Sequence, residues 1–233
     1  MIFLPGTIKQ SEILFKSLSQ EFSSILIIGP GCEEISNSMA AKYSAGVTII
    51  VDNNDSLLTS RMKLAGQKNT SVKMMDYSNT DFKDSFFDLV YAQASMSNKN
   101  RNKIIKEIKR ILKSGGYFCN GEIVSLKNPV PAFVEDIWRA SNITPITSND
   151  FGRFFTEKGF EIVLEEDLSG TLKEFYLMGS RLLKEKSGEL TDEEKSYYKK
   201  LLKQISHESN AYLKLGGDKF IGYKMAIMRK EQD

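Results

Sequence analysis

The stretch Ile25-Leu-Ile-Ile-Gly-Pro-Gly-Cys-Glu33 decides the fold of this 233-residue chain. Its apolar run predicts a buried strand, and Gly29 and Gly31 predict a tight turn that leads into a helix. A second apolar run, Val47-Thr-Ile-Ile-Val51, ends at an acid, Asp52. This order of strand, glycine turn, helix, strand and acid is typical of a βαβ unit that binds a ribose-bearing ligand. The glycines let the backbone approach the ligand, and the acid can accept from both ribose hydroxyls.

The rest of the chain continues this alternation of strands and helices. Further strands are predicted at 71–76, 86–92, 117–124, 160–164 and 221–228. Helices are predicted at 7–22, 33–44, 56–64, 104–112, 133–139, 148–158, 172–186 and 192–215. Gly115-Gly116 predict the end of the helix over 104–112. Because strands alternate with crossover helices, the pattern predicts an α/β fold with a doubly wound, parallel sheet.

Composition and charge argue against several classes of protein. Hydrophobic residues make up 41% of the chain and charged residues 27%, which is typical of a globular protein with a full core. The net charge of +2 comes from interspersed lysines and acids, so nothing favours nucleic acid or a membrane surface as partner. No secretory or membrane-spanning segment is recognised, so we expect a cytoplasmic location with Cys32 and Cys119 reduced. The single histidine, His207, lies off the apolar stripe of its helix, so we expect it to face solvent and expect no metal site.

Together these segments resemble the class I S-adenosylmethionine-dependent methyltransferases, from about residue 25 to residue 230. The motifs that carry the resemblance are Ile28-Gly-Pro-Gly31, Val51-Asp52, Phe87-Asp-Leu-Val90 and Glu107-Ile-Lys-Arg-Ile-Leu-Lys-Ser-Gly-Gly116. The resemblance implies a Rossmann-like seven-stranded sheet whose antiparallel last strand lies between strands five and six. It also implies a helical insertion between strands six and seven that covers the acceptor pocket, as in the quinone, tocopherol and sterol methyltransferases. We expect one domain over 1–233: an N-terminal helix (1–23), a cofactor-binding core (24–170), a helical cover (171–216) and a final strand (217–233).

The resemblance further implies a site for S-adenosylmethionine, which would leave as S-adenosylhomocysteine. Asp52 would bind the ribose hydroxyls, Asp76 with Tyr77 would flank the adenine, and the glycine turn would pass under the methionine part of the cofactor. Ala92 and Gln93 would line its methionine side. The full set of expected cofactor-binding residues is Gly29, Pro30, Gly31, Asp52, Asn53, Asp76, Tyr77, Ala92 and Gln93.

These expectations predict methyl transfer to a small, partly apolar molecule by in-line displacement. Such a displacement needs orientation more than covalent help, which fits a chain with no recognisable catalytic triad, and no catalytic residue is predicted. After strand four, Tyr91-Ala-Gln-Ala94 lacks the Asn/Asp-Pro-Pro-aromatic motif of methyltransferases that act on nucleic-acid amines. The pair Phe175-Tyr176 is left open between core packing and contact with an apolar acceptor.

Two departures from the family pattern keep an alternative open. The family usually has an acid where Ile27 stands and a third glycine where Glu33 stands, so the chain could bind S-adenosylmethionine without transferring its methyl group. A nicotinamide (NAD)-dependent oxidoreductase is less favoured, because it would need a glycine at Glu34. The short segment before strand one predicts a more open pocket, or one that a second subunit closes in a homodimer.

Overall fold

The computed structural model describes residues 3–189 and 206–231. Its strands are β1 (Ser24–Ile28), β2 (Gly46–Val51), β3 (Thr70–Met74), β4 (Phe87–Gln93), β5 (Leu112–Ser125), β6 (Ile146–Thr147), β7 (Phe160–Asp167) and β8 (Ile221–Lys230). Its helices are α1 (Lys9–Ser17), α2 (Glu33–Tyr43), α3 (Asn54–Lys63), α4 (Arg101–Ile111), α5 (Ala132–Ala140), α6 (Phe151–Thr156), α7 (Thr171–Glu189) and α8 (206–214). No helix within these two ranges is long and apolar enough to cross a membrane.

Seven strands form one continuous path in the order β3-β2-β1-β4-β5-β8-β7, and the two-residue β6 pairs with β5. Strands β3, β2, β1, β4 and β5 are mutually parallel. The last strand, β8, runs antiparallel to both of its neighbours, β5 and β7. The predicted seven-stranded, doubly wound α/β sheet is therefore confirmed, including the place of its antiparallel last strand.

Strand β1 lies inside the sheet, between β2 and β4, and its last four residues, Ile25 to Ile28, are all buried. A strand that is apolar at successive positions must be covered on both faces, and helices cover both faces here. Helices α1, α2, α5, α7 and α8 contribute to one core, and α4 and α6 contribute to the other. The carboxyl ends of β1, β2 and β4 therefore meet at one edge, which is where ligands bind in sheets of this type.

The helix α4 ends within one residue of its predicted end, Leu112, but not through a glycine cap. It stops at Ile111, and the next residue already has the extended backbone of β5. The last carbonyls of the helix accept hydrogen bonds from the amides of Ser85, at 2.9 Å, and Phe86, at 2.7 Å. Because this loop satisfies the carbonyls, no glycine cap is needed.

The insertion between β7 and β8 is helical in the described residues. It contains α7 and α8, as the resemblance implies, and both pack on the same face of the sheet as α1. The beginning of the helix predicted over 192–215 lies outside the described residues.

Candidate active site

The glycine turn after β1 has a backbone that favours glycine. Gly29 and Gly31 have φ angles of +108° and +84°, in the region that L side chains rarely adopt. A Cβ on Gly29 would lie 2.6 Å from the Cβ of Ser95. Ser95 follows β4, and its hydroxyl donates a hydrogen bond of 2.6 Å to the carbonyl oxygen of Ile28. The loop after β4 therefore braces the turn, a role of Ser95 that the sequence did not reveal.

Glu33, one of the two departures from the family pattern, is turned toward α3. Its carboxylate accepts from the Ser60 hydroxyl at 2.7 Å, from the Lys63 ammonium at 3.3 Å and from the Gly31 amide at 3.4 Å. Burial by itself would raise the pKa of Glu33, but the hydrogen bonds and the charge of Lys63 lower it below the ordinary 4.5. The negative charge is therefore compensated within the fold.

The other departure, Ile27, lies in the core. It is completely buried and is in register with Ile49 on β2 and Tyr91 on β4. An apolar residue fits there because its surroundings on both neighbouring strands are packed.

Asp52, Asn53 and Tyr77 lie together at the ends of β2 and β3. The exposed carboxylate of Asp52 accepts a hydrogen bond of 2.9 Å from the side-chain amide of Asn53. The carbonyl oxygen of the same amide caps α3 by accepting from the Ser56 backbone at 2.9 Å. Burial, followed by the charge of Asp52, raises the pKa of Tyr77. An exposed carboxylate beside a largely buried ring fits an adenosine group, which offers ribose hydroxyls and a flat base.

Asp76 is also exposed, but its carboxylate is engaged locally. It accepts from the backbone amide and the hydroxyl of Ser78, both at 2.8 Å, and these bonds lower its pKa below 3.8. Asp76 therefore stabilises the turn that follows β3, as aspartates at strand ends often do.

Ala92 and Gln93 are both buried, and both contact the N-terminal part of the chain. The Ala92 carbonyl accepts a hydrogen bond of 3.0 Å from the amide of Gln10. The amide of Gln93 donates to the carbonyl oxygens of Pro5 and Thr7, at 2.8 Å each. Their polar groups therefore anchor the chain that covers the end of β4, and their contact with a cofactor stays a prediction.

The anchored segment, residues 3–7, lies over the glycine turn. The side chain of Leu4 is 3.4 Å from the place that a Cβ on Gly31 would take. The ring of Phe3 stacks on Phe175 of α7, with 4.9 Å between ring centres and 26° between the planes. The apolar residues at the start of the sequence indicate that this segment is buried. They have no helical or strand periodicity, so the sequence does not predict where the segment packs.

Two spaces open beside this segment. A groove of about 570 Å³ is lined by Phe3, Gly31, Glu33, Glu34, Asn37 and Lys63. A cavity of about 230 Å³ is lined by Phe3, Leu4, Pro5, Ala94, Ser97, Ile123, Ile143, Phe175, Tyr176 and Glu208. We call the second space the α7 cavity. Phe3 borders both spaces, so the α7 cavity and the groove beside the glycine turn are neighbours, and Phe175 and Tyr176 do face a space that a ligand could occupy.

The remaining nucleophile candidates lie away from these spaces or are inert. Cys32 and Cys119 are free and buried, and burial raises the pKa of the Cys119 thiol to about 12. A thiol that stays protonated near neutral pH is a poor nucleophile. His207 is exposed on α8, as expected from its helical position.

Comparison with known proteins supports the family that the sequence resembles. Residues 26–120, which run from within β1 to the middle of β5, match a family model described as "Methyltransferase domain". The chain is 23% identical over 189 residues to a sarcosine/dimethylglycine N-methyltransferase of Halorhodospira halochloris, a match that covers 79% of this chain and 67% of that protein. Both matches support the class I S-adenosylmethionine-dependent methyltransferases as the family of this chain.

Solved methyltransferase structures share the fold. A phosphoethanolamine N-methyltransferase of Haemonchus contortus, with phosphomonomethylethanolamine and S-adenosylhomocysteine bound, has a TM-score of 0.79 and 16% identity. The match covers 98% of this chain and 54% of the Haemonchus protein, so this chain spans about half the length of that protein. A geranyl diphosphate C-methyltransferase of Streptomyces coelicolor has a TM-score of 0.71 and 12% identity, covering 96% of this chain and 77% of that one.

The comparisons bear on the alternatives drawn from the sequence. Residues 26–120 match a methyltransferase model, and solved neighbours contain S-adenosylmethionine or S-adenosylhomocysteine, so these matches favour a methyltransferase over an NAD-dependent oxidoreductase. The case for a protein without transferase activity depended on Glu33 and Ile27. Since the charge of Glu33 is compensated and Ile27 is a core residue, neither departure now favours that alternative.

Proposed function

We propose that this methyltransferase transfers a methyl group to a small, partly apolar acceptor bound in the α7 cavity. The observation that carries the proposal is the position of the cavity, which shares Phe3 with the groove beside the glycine turn and includes Ala94, directly after β4. An acceptor in the α7 cavity would therefore lie next to the edge of the sheet where the donor is expected.

For the donor, we propose the residues that the sequence indicated. Asp52 would accept hydrogen bonds from the ribose hydroxyls, with Asn53 holding the carboxylate in place at 2.9 Å. Tyr77 would lie against the adenine, and the turn Gly29-Pro30-Gly31 would pass under the methionine part. Asp76 belongs to the proposed set as a second, outer polar group.

Bound S-adenosylmethionine supplies a methyl group on a positively charged sulfur, which makes the carbon susceptible to attack. The contribution of the chain is then to orient the acceptor so that its attacking atom approaches in line with the bond that breaks. Apolar walls from Phe3, Ile123 and Ile143 would hold the acceptor and exclude water from the reacting atoms. The nearby relatives are named for small acceptors, including sarcosine, dimethylglycine and geranyl diphosphate, which supports an acceptor of this size.

The first test is calorimetric titration with S-adenosylmethionine, S-adenosylhomocysteine and, as control, NAD. We expect micromolar binding of the first two and none of NAD. The second test measures release of S-adenosylhomocysteine with a panel of small amines, phenols and acids as acceptors, for the natural protein and for Phe175→Ala. Turnover that the Phe175→Ala variant retains in full would place the acceptor elsewhere. Binding of NAD without binding of S-adenosylhomocysteine would overturn the proposal.

A homodimer, which we also expect from the sequence, is a separate proposal. Residues 3–7 already lie over the glycine turn, so a second subunit would be needed only to complete this cover. Light scattering during size exclusion, with and without S-adenosylhomocysteine, tests it, and a strict monomer in both states would contradict it.

A further inference from the structure

The lining of the α7 cavity is largely apolar, and its polar groups belong to Ser97, Tyr176 and Glu208. Ser97 lies in the loop after β4, and its position is fixed because its carbonyl oxygen accepts from the Thr144 amide at 2.8 Å. Its hydroxyl is buried and has no hydrogen-bond partner among residues 3–189 and 206–231. Buried hydroxyls are normally paired, so an unpaired hydroxyl on a residue that lines the cavity leaves a place for a polar group of a ligand.

Three aromatic rings form one side of the cavity. Phe3 stacks on Phe175, and Phe175 meets Tyr176 at 5.1 Å in an edge-to-face arrangement. Behind them, Tyr176 stacks on Tyr212 of α8, with 4.5 Å between ring centres. These contacts fix the rings before any ligand binds, so little order has to be created on binding.

Glu208 on α8 brings a carboxylate to the same wall. The Ser141 hydroxyl donates a hydrogen bond to it, which ties α8 to the residue after α5. Burial, and next the charge of Glu208, raise the pKa of the Tyr176 hydroxyl, and both residues line the cavity. Within the described part of the chain, no lysine, arginine or histidine lines the cavity.

We infer that the acceptor is a small amine that binds as an ammonium ion, with Glu208 and the aromatic rings as its recognition elements. The inference rests on the proposed function, since it names the chemical class of that acceptor. Aromatic faces attract cations through the ring quadrupole, and a carboxylate beside them adds a direct charge interaction. The carboxylate would repel an anionic acceptor. A neutral acceptor would remove water from the carboxylate without compensating its charge, which costs free energy. A cation is therefore the ligand that the lining fits. The Ser97 hydroxyl would accept from an N–H of the same ammonium or bind a polar substituent.

The proton has to leave before the nitrogen can attack. The bound ammonium gives one N–H proton to the Glu208 carboxylate, which passes it to solvent, and the nitrogen lone pair becomes available. The nitrogen then forms a bond to the methyl carbon as the carbon–sulfur bond breaks, and that bond's electron pair stays on sulfur. The products are a methylated ammonium ion and a neutral thioether, so charge and atoms balance.

The test uses a matched pair of probes that cannot be methylated on nitrogen. Choline carries a quaternary ammonium, and 3,3-dimethylbutan-1-ol has the same shape without the charge. With S-adenosylhomocysteine present, calorimetric titration should show that choline binds about tenfold more tightly or better than the neutral probe. Glu208→Gln should abolish most of this preference, and Phe175→Leu should reduce it. Glu161→Gln, which removes an exposed carboxylate on β7, is the control and should leave it unchanged.

The outcomes separate the two proposals. Glutamine can still accept from Ser141, so Glu208→Gln should keep the fold, and undiminished binding of S-adenosylhomocysteine would verify that it does. Equal affinity for the two probes, binding of neither probe while S-adenosylhomocysteine binds, or a preference that survives Glu208→Gln would each overturn the amine inference alone. Failure to bind S-adenosylhomocysteine in the natural protein would overturn the proposed function itself.

Discussion

The side-chain amide of Gln93 donates a hydrogen bond of 2.8 Å to the carbonyl oxygen of Thr7, far away in sequence. The same nitrogen donates to Pro5, and the carbonyl oxygen of the amide accepts from the Tyr91 hydroxyl at 2.6 Å. One buried side chain therefore holds residues 3–7 on the end of β4. Leu4 lies on Gly31 and Phe3 stacks on Phe175. Gln93 therefore also holds in place the segment that borders the α7 cavity and the groove beside the glycine turn.

Replacing Gln93 with leucine should release this cover. The change leaves two backbone carbonyls and the buried Tyr91 hydroxyl without their partner, so the free energy of unfolding should fall by about 2 kcal/mol or more. Denaturant titration measures this fall, and hydrogen exchange should show lost protection at the amides of residues 9–12. Gln20→Leu is the matched control, because the Gln20 side-chain nitrogen is buried without a hydrogen bond in the described residues. An equal loss of stability in both variants would contradict the special role of Gln93.

Replacing Asp52 with asparagine should weaken cofactor binding and leave stability unchanged. The carboxylate is exposed, so the free energy of unfolding should change by less than about 0.5 kcal/mol. Loss of charge-assisted hydrogen bonds to ribose hydroxyls should raise the dissociation constant of S-adenosylhomocysteine by about tenfold to a hundredfold. Calorimetry measures this constant. Asp55→Asn, an exposed change in the first turn of α3, is the control, and an equal effect there would show that the loss is not specific to Asp52.

The sequence predicted the parts of this molecule that depend on the backbone. The apolar run of β1, the glycine turn and the acid after β2 have strict requirements for burial, φ angle and position, and these leave a recognisable pattern. The α7 cavity could not be predicted in the same way. Ser97, Phe3 and Glu208 come from a loop, the chain start and the insertion, and only tertiary packing brings them together.

The end of α4 shows the same limit on a smaller scale. Gly115-Gly116 have the composition of a helix cap, and Gly115 does have a positive φ of +70°. The helix nevertheless ends before them because the amides of Ser85 and Phe86 bind its last carbonyls. Hydrogen bonds from residues distant in sequence therefore end the helix in place of a glycine cap. No pattern within 104–116 could have indicated these bonds.

Protonation of Asp88 should make the protein less stable in acid. Its carboxylate accepts from the backbone and hydroxyl groups of Ser23 and Ser24 at 2.8–2.9 Å, and from Lys113 at 2.5 Å. Burial by itself would raise the pKa of Asp88, but these bonds lower it far below the ordinary 3.8. A lowered pKa means that the stabilisation is present above pH 3.8 and is lost as the pH falls further.

Denaturant titrations at a series of pH values from neutral to strongly acidic test this dependence. The natural protein should lose stability in the acidic range, and Asp88→Asn should be less stable at neutral pH but lose less on acidification. Asp81→Asn, an exposed change in the loop before β4, should follow the natural protein. Parallel pH curves for the natural protein and Asp88→Asn would contradict the assignment.

Replacing Glu33 with glycine would restore the family pattern, yet it should harm the protein. The variant loses the hydrogen bonds from Ser60 and Gly31 and the ion pair with Lys63. It leaves a buried Ser60 hydroxyl unpaired and places glycine in the first turn of α2, so the free energy of unfolding should fall by about 2 kcal/mol or more. Glu34→Gly is the control, because it places a glycine one position later in α2, where the side chain is exposed. It should lower the free energy of unfolding by about 1 kcal/mol.

Binding measurements decide what Glu33 means for function. If its charge is compensated within the fold, Glu33→Gly should bind S-adenosylhomocysteine no more tightly than the natural protein does. A gain of about tenfold in affinity would show instead that the carboxylate opposes the cofactor. Glu33→Gln separates charge from packing, because its amide oxygen can still accept from Ser60. Unchanged affinity in the glutamine variant, together with a modest loss of stability, would establish Glu33 as a structural link between the glycine turn and α3.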